Sequence, residues 1–158
     1  MFLYKRTLNV DLIVHANNTV RAVARLEIGS PTTEEKYLYQ IWAELENKED
    51  DVTIVDTGVD FLTGEVPACD GTRVLINKMK GLRLDEKYLW RISGIFARSD
   101  GCQHLYELAI EIGRAYSNLK VGEHLRAKRN ASSPSTGALV NMKKHCAGLS
   151  FLVAQEEL

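Results

Sequence analysis

The feature that most constrains this chain is an alternation of apolar and polar side chains that runs through its first third. Apolar residues recur at every second position over residues 8–14, 20–28 and 37–45, and an apolar run over 52–61 follows. A period of two is typical of strands that bury one face. The first two runs flank Asn17-Asn18, and asparagine tolerates the backbone of tight turns. Four strands with short connections predict an antiparallel sheet with meander order.

Helical spacing replaces the alternation after Pro67, a residue that disfavours helix before it. One helix is expected from Thr72 to Gly81, where glycine suits the left-handed helix end. Residues 85–97 favour a second helix, although this stretch also allows a strand. The third and clearest helix begins at Cys102 and extends to about Leu119, with its apolar side chains on one stripe. The expected fold is α+β, with about three helices packed on one face of the sheet.

The domain organisation follows from length and composition. A chain of 158 residues can bury a core of its own, and we assign residues 1–129 to a single α+β domain. Residues 130–158 are interpreted as a linker and C-terminal tail, because the segment NASSPSTG at 130–137 has a linker composition. The tail contains one short apolar run at residues 149–154, which is compatible with a helix or a strand.

Charge and cysteine content limit the environment and the partners. The net charge of -1 gives no general attraction to anionic membranes, and it argues against nucleic acid even though residues 120–129 are basic. Three cysteines cannot all pair in disulfides and fit a reducing compartment. No secretory signal and no membrane-spanning stretch is recognisable. The expected location is the cytoplasm, and the expected partner is another protein or a second copy of the chain.

The reactive side chains are found at the predicted starts of two helices. Cys102 and His104 follow Asp100 in the turn before the third helix, while Cys69 and Asp70 precede the first. Two thiols, an imidazole and a carboxylate would suffice for four-coordinate zinc or for an iron–sulfur cluster. Alternatively, Cys102 is a thiol activated by the helix end with His104 as its base. A third interpretation makes Cys102 a small core residue. Phosphate loops, GxSxG, CxxC and HExxH are all absent.

The order of these features resembles a bacterial family of unknown function. Its members combine a strand-rich first half with a proline followed by cysteine, and later a Cys-Thr-His-Leu segment that opens a long helix. Here the corresponding segments are Pro67-Ala68-Cys69 and Cys102-Gln103-His104-Leu105, with glutamine in place of threonine. The layout is also similar to that of NifU-type iron–sulfur scaffold proteins, although the scaffold's first cysteine, on the sheet side, is not evident here. The resemblance implies that Cys69 is paired with Cys102 and His104, and it names no reaction.

The sequence therefore supports three hypotheses about function. The first is a metal- or cluster-binding domain that uses Cys69, Cys102 and His104, with Asp70 or Asp100 as a further ligand. The second is a thiol-dependent enzyme or small-ligand binder. The third is a structural or interaction subunit without a reactive site.

Overall fold

The computed structural model describes residues 4–15, 19–30, 36–48, 51–63 and 71–130. Contacts divide the chain into two units, Met1–Ala115 and Tyr116–Leu158. The sheet, the two shorter helices and the first part of the third helix belong to the first unit. Cys69, Asp70 and the apolar run at 149–154 lie outside the described residues, so the predictions made for them, and the boundary between residues 129 and 130, stay predictions.

Four strands form one antiparallel sheet in the order β1-β2-β3-β4, which confirms the predicted meander. The strands are β1 (Lys5–Val14), β2 (Thr19–Gly29), β3 (Lys36–Lys48) and β4 (Asp51–Thr63). The pairing of β1 with β2 and of β2 with β3 is regular over its whole length. The pairing of β3 with β4 shifts register twice, at Leu38/Tyr39 and at Glu44/Leu45.

One face of the sheet forms the core, as the alternation predicts. Its central positions on β2 and β3 are fully buried because helices cover them; they are Ala22, Ala24, Leu26, Ile41, Ala43 and Leu45. Cross-strand pairs such as Ala24 with Ile41 place these side chains directly opposite one another. The helices follow the sheet in the chain and pack on this face, so the α+β class is confirmed.

The first helical segment closes the sheet beyond β4. Helix α1 (Arg73–Ile76) continues as a 3-10 turn, Asn77–Met79, and ends at Gly81, whose φ of 82° is the left-handed conformation expected of it. Residues 81–84 then run along the free edge of β4. Ile54 N–H donates to Leu82 O at 2.9 Å and Leu84 N–H donates to Val52 O at 2.9 Å. The chain itself therefore hydrogen-bonds this edge of the sheet from Val52 to Ile54.

Helices α2 (Tyr88–Phe96) and α3 (Gln103–Asn130) complete the fold. The buried hydroxyl of Tyr88 donates to Ala109 O at 2.8 Å, and Gly113 lies directly beneath the Tyr88 ring. Arg6 of β1 forms an ion pair with Glu107 of α3, which places the start of α3 over the core face of the sheet. No described helix is apolar over a length sufficient to cross a bilayer.

The opposite face of the sheet carries a polar network. Arg25 donates to Asp11 at 2.9 Å and to Gln40 at 2.6 Å, and Gln40 donates to Asp60 at 3.1 Å, so one row of side chains spans all four strands. Beside this row, the guanidinium of Arg21 lies 4.5 Å from the ring centroid of Trp42.

The second unit is described only for the remainder of α3. Lys120 pairs with Glu123 at 3.3 Å and lies over the ring of Tyr116, both ordinary contacts along one helix. The basic stretch at 120–129 is helical, as expected for a charged helix end.

Candidate functional site

The start of α3 is the site that the sequence singled out. A turn precedes it, in which Gly101 N–H donates to Arg98 O at 2.9 Å, and a Cβ on Gly101 would overlap the carbonyl of Phe96. Tyr106 N–H donates to Cys102 O at 2.9 Å, so Cys102 supplies the first helical acceptor. The helix begins at Gln103, one residue later than predicted, which makes Cys102 its cap residue.

The side chain of Cys102 belongs to the core. Cys102 is 8% exposed and is a free thiol. A thiol with so little solvent contact becomes accessible to a reagent through local opening of the helix start.

His104 lies at the border of the core and stacks on an aromatic ring. Its imidazole is 4.4 Å from the ring centroid of Tyr39, with an interplanar angle of 21°. Burial lowers the pKa of His104, and the nearby guanidinium of Arg6 lowers it further. The imidazole is therefore neutral at neutral pH and keeps one unprotonated ring nitrogen.

Asp100 belongs to the turn that precedes the helix. It lies in the exposed turn, and its carboxylate is 3.9 Å from Arg98 Nε, with both side chains 73% exposed. The described residues contain no group of three or more His, Cys, Asp or Glu side chains that could hold a metal. Within the described chain, Cys102 and His104 are close only because they are two residues apart. A complete ligand set would need Cys69 or Asp70.

A second site lies on the outer side of α2, and sequence reasoning missed it. A groove of about 530 Å³ runs between the 3-10 turn and α2; its lining residues are Lys78, Leu82, Trp90, Arg91, Ser93, Gly94, Ile95 and Ala97. Trp90 is 76% exposed, more than any other large apolar residue of the described chain. The floor at Gly94 is open, because a Cβ there would meet nothing within 4 Å.

The charge of the groove is positive. Its lining includes two cations and no carboxylate. Arg91 is held in place by Asp85 through two hydrogen bonds of 2.9 and 3.0 Å. Partial burial is the largest single effect on Asp85 and opposes its ionisation, but the hydrogen bonds from Arg91 and the Lys87 amide, together with the charges of Arg91 and Arg83, lower the pKa of this carboxyl overall. Among the described residues, the ammonium of Lys78 takes part in no ion pair.

The signal for this groove was present in the helical pattern. Tyr88, Ile92 and Phe96 recur at four-residue spacing and are buried, so they define the inner face of α2. Trp90 falls two positions from Tyr88 and Ile92, on the opposite side of the helix. A tryptophan on the polar side of an amphipathic helix does not contribute to packing of the core. Its presence on that side is therefore the sequence signal for a binding surface.

Comparison with known proteins adds the family. A family model described as "Protein of unknown function (DUF2889)" matches residues 6–118. The chain belongs to this family. The matched region contains all four strands, α1, α2 and the start of α3, and so both candidate sites. No curated protein and no solved structure matches the chain.

Proposed function

We propose that this member of the family is a non-catalytic interaction module that binds an acidic segment of a partner protein in the groove beside Trp90. The observation that carries the proposal is the 76% exposure of Trp90 at the rim of a groove with two cations and no carboxylate. A segment that places an apolar side chain against the indole and a carboxylate near Lys78 would match both properties.

The apolar part of the interaction comes from Trp90. Because the inner face of α2 is already filled, the indole contributes little to folding and keeps most of its apolar area in water. Covering a large side chain of this kind contributes about 1.5–3 kcal/mol. Tryptophan is among the residues that most often dominate binding energy at interfaces, since its ring is large, rigid and amphipathic.

The polar part comes from the surrounding charges. Residues 71–100 carry seven basic and three acidic side chains, a formal charge of +4, in a chain whose net charge is -1. Asp51 and Asp56 of β4 form ion pairs with Arg83 and Lys80, and counting these two acids leaves +2. Arg91 is oriented by Asp85, whereas Lys78 is able to pair with a carboxylate of the partner. This positive charge speeds the association of an acidic segment with the surface and helps to fix its alignment in the groove.

The test is a binding measurement on the full chain. Twelve-residue peptides are selected from a displayed random library, and the affinity of fluorescein-labelled copies is measured by anisotropy. We expect the selected peptides to combine Asp or Glu with a large apolar residue, and to lose affinity when their acids are replaced by Asn and Gln.

Matched variants locate the site. Trp90→Ala should weaken binding about tenfold or more, whereas Leu89→Ala should change it less than twofold, since Leu89 is also exposed but does not line the groove. Lys78→Glu should weaken binding and Lys87→Glu should not. Equal effects of Trp90→Ala and Leu89→Ala, or selected peptides without acids, would contradict the proposal. So would tighter binding of a single-stranded oligonucleotide than of any peptide.

A second candidate function rests on Cys102 and His104. It is the binding of zinc or an iron–sulfur cluster, with Cys69 and either Asp70 or Asp100 completing the ligands. The observation that favours it is the position of Cys102 at the start of α3, two residues from His104, whose imidazole is neutral at neutral pH. The imidazole would then be in the protonation state that a metal requires.

Elemental analysis and an absorption spectrum of protein purified without oxygen test this candidate. Under it, stoichiometric metal is found, and a chelator makes Cys69 and Cys102 reactive to alkylation together. If Cys102 is instead an activated thiol of an enzyme, it alone reacts fast near neutral pH, with or without chelator. Metal-free protein in which Cys102 stays inert while Cys146 reacts would contradict both hypotheses.

A further inference from the structure

Among the described residues, nothing pairs with the outer edge of β1, and the hydrogen-bond pattern of the first hairpin shows which backbone groups face that edge. His15 N–H donates to Thr19 O at 2.9 Å, and the register continues from His15 opposite Thr19 to Lys5 opposite Gly29. In an antiparallel pair, alternate residues direct both N–H and C=O to the same neighbour. The backbone N–H and C=O groups of the odd-numbered residues of β1 therefore bond to β2. Those of the even-numbered residues point away from β2, toward the outer edge; these residues are Arg6, Leu8, Val10, Leu12 and Val14.

The two edges of the sheet differ in whether another described segment of the chain hydrogen-bonds to them. Along β4, residues 81–84 hydrogen-bond the edge at Val52 and Ile54, with distances of 2.8 and 2.9 Å. Along β1, no described segment pairs with the edge. Edge strands are usually protected by shortness, bulges or proline, yet β1 has ten regularly paired residues and none of these features. Of its three charged residues, Arg6 and Asp11 are already paired, with Glu107 and Arg25, and Lys5 is the first residue of the strand.

The core is also incomplete at β1. The inward residues at the centre of β2 and β3 are fully buried, whereas Leu8, Val10 and Leu12 are only half-buried and Val14 is 63% exposed. On the opposite face, Ile13 is 48% exposed. A further strand beside β1 would cover apolar surface on both faces and satisfy the outward amides and carbonyls together.

We infer that the strand that pairs with β1 is β1 of a second copy, in an antiparallel arrangement about a two-fold axis at Val10. The five residues whose backbone groups face the outer edge are centred on Val10. A two-fold axis at Val10 therefore gives the register in which all five residues are hydrogen-bonded to the second copy. Arg6 then faces the partner's Val14, Leu8 faces the partner's Leu12, and Val10 faces the partner's Val10. Each such pair exchanges two bonds, which gives about ten hydrogen bonds across the interface.

The side chains are compatible with this register. On the core face the central pairs join leucine and valine, and Arg6 remains beside its own Glu107. On the opposite face Asn9 lies opposite the partner's Asp11, so no like charges are directly opposite. Two-fold symmetric dimers are the commonest closed assemblies of identical chains, and this one would form a continuous eight-stranded sheet with the helices of both copies on the same face.

The experiment is sedimentation equilibrium of the full chain over a wide concentration range. We expect a reversible dimer for the wild-type protein and a monomer for Val10→Pro. The N–H of Val10 points away from β2, so its removal should leave the hairpin folded, and the far-UV circular dichroism checks this. A monomer at every concentration would overturn the inference. Protection of the Val10 amide from hydrogen exchange in such a monomer would assign the edge to another segment of the chain.

Substitutions at Asn9 test the register independently of folding. The carboxylate introduced by Asn9→Glu would lie beside Arg25 of its own sheet, so the substitution should stabilise the monomer. The same carboxylate would lie opposite the partner's Asp11, so the substitution should raise the dissociation constant of the dimer by about three- to thirtyfold. Asn9→Lys should do the reverse. Equal effects of the two variants on the dissociation constant would overturn the proposed register, and a dimer that survives Val10→Pro would overturn the interface.

Discussion

The imidazole of His104 lies flat on the phenol ring of Tyr39, with ring centroids 4.4 Å apart. This contact joins the first turn of α3 to the third strand, and it holds the imidazole where burial and Arg6 both disfavour its protonation. His104 is thus first a packing residue of the sheet–helix interface, and any ligand role must use the ring edge rather than the ring face.

The depressed pKa of His104 predicts a loss of stability in acid. In the unfolded chain this residue takes up a proton near pH 6.5, whereas the folded protein resists protonation, so the unfolded state binds more protons as the pH falls through that value. The contribution of His104 is therefore present above about pH 6.5 and is lost between there and its folded pKa.

His104→Phe isolates this effect, because phenylalanine keeps the stacking on Tyr39 and cannot titrate. We expect the free energy of unfolding of the variant to fall less between pH 7.5 and 5.5 than that of the wild-type protein, as measured by urea denaturation. Identical pH dependence in the two proteins would show that His104 does not carry the linkage.

Two glycines of α3 should respond in opposite directions to the same substitution. A methyl group at Gly113 would overlap the buried ring of Tyr88, whereas one at Gly122 would meet nothing within 4 Å. Gly113→Ala is expected to destabilise the protein by about 1–3 kcal/mol through overpacking. Gly122→Ala should stabilise the helix by up to about 1 kcal/mol. Thermal denaturation of both variants checks the prediction, and a stabilised Gly113→Ala protein would contradict the packing described here.

The hydroxyl of Thr57 links β4 to α1 through a hydrogen bond. It is buried and donates to Ile76 O at 3.0 Å. Thr57→Val keeps the volume and removes the donor, so it should cost about 1–3 kcal/mol of unfolding free energy if the carbonyl is left unsatisfied. Thr57→Ser, which keeps the hydroxyl, is the control for the hydrogen bond. A valine variant as stable as the wild-type protein would mean that another donor reaches Ile76 O.

The sheet could be predicted from sequence because one physical rule decides it. A strand with one buried face must alternate, and every second residue from Val20 to Ile28 is apolar, with Val23 the one apolar residue among those between them. The register shift at Glu44/Leu45 was not predictable, since neither β3 nor the facing part of β4 contains a proline or glycine at that point. Bulges of this kind depend on tertiary packing against the helices.

The candidate sites were also predictable from the sequence only in part. The helix over Gln103 was evident from its apolar stripe, but its end was predicted near Leu119 and lies at Asn130. The stripe fades into a charged stretch there, while leucine, lysine, arginine and glutamate continue to favour helix. Trp90 was missed although the spacing of Tyr88, Ile92 and Phe96 marks the inner face of α2 and leaves Trp90 outside it. Whether an apolar residue faces the core depends on which side of the helix the sheet occupies.

The close approach of Trp42 and Gly58 gives the last prediction. The two residues are paired across β3 and β4, and a methyl group at Gly58 would overlap the indole of Trp42, which also carries Arg21 over its ring. In the wild-type background, Gly58→Ala should displace the indole, change the tryptophan fluorescence and cost about 1 kcal/mol or more. In a Trp42→Ala background the obstruction is gone, and the same substitution should be neutral or stabilising by up to about 1 kcal/mol, because alanine has less unfolded-state entropy to lose than glycine. The four proteins form a double-mutant cycle in urea denaturation. Additive effects of the two substitutions would show that the glycine is not there to accommodate the tryptophan.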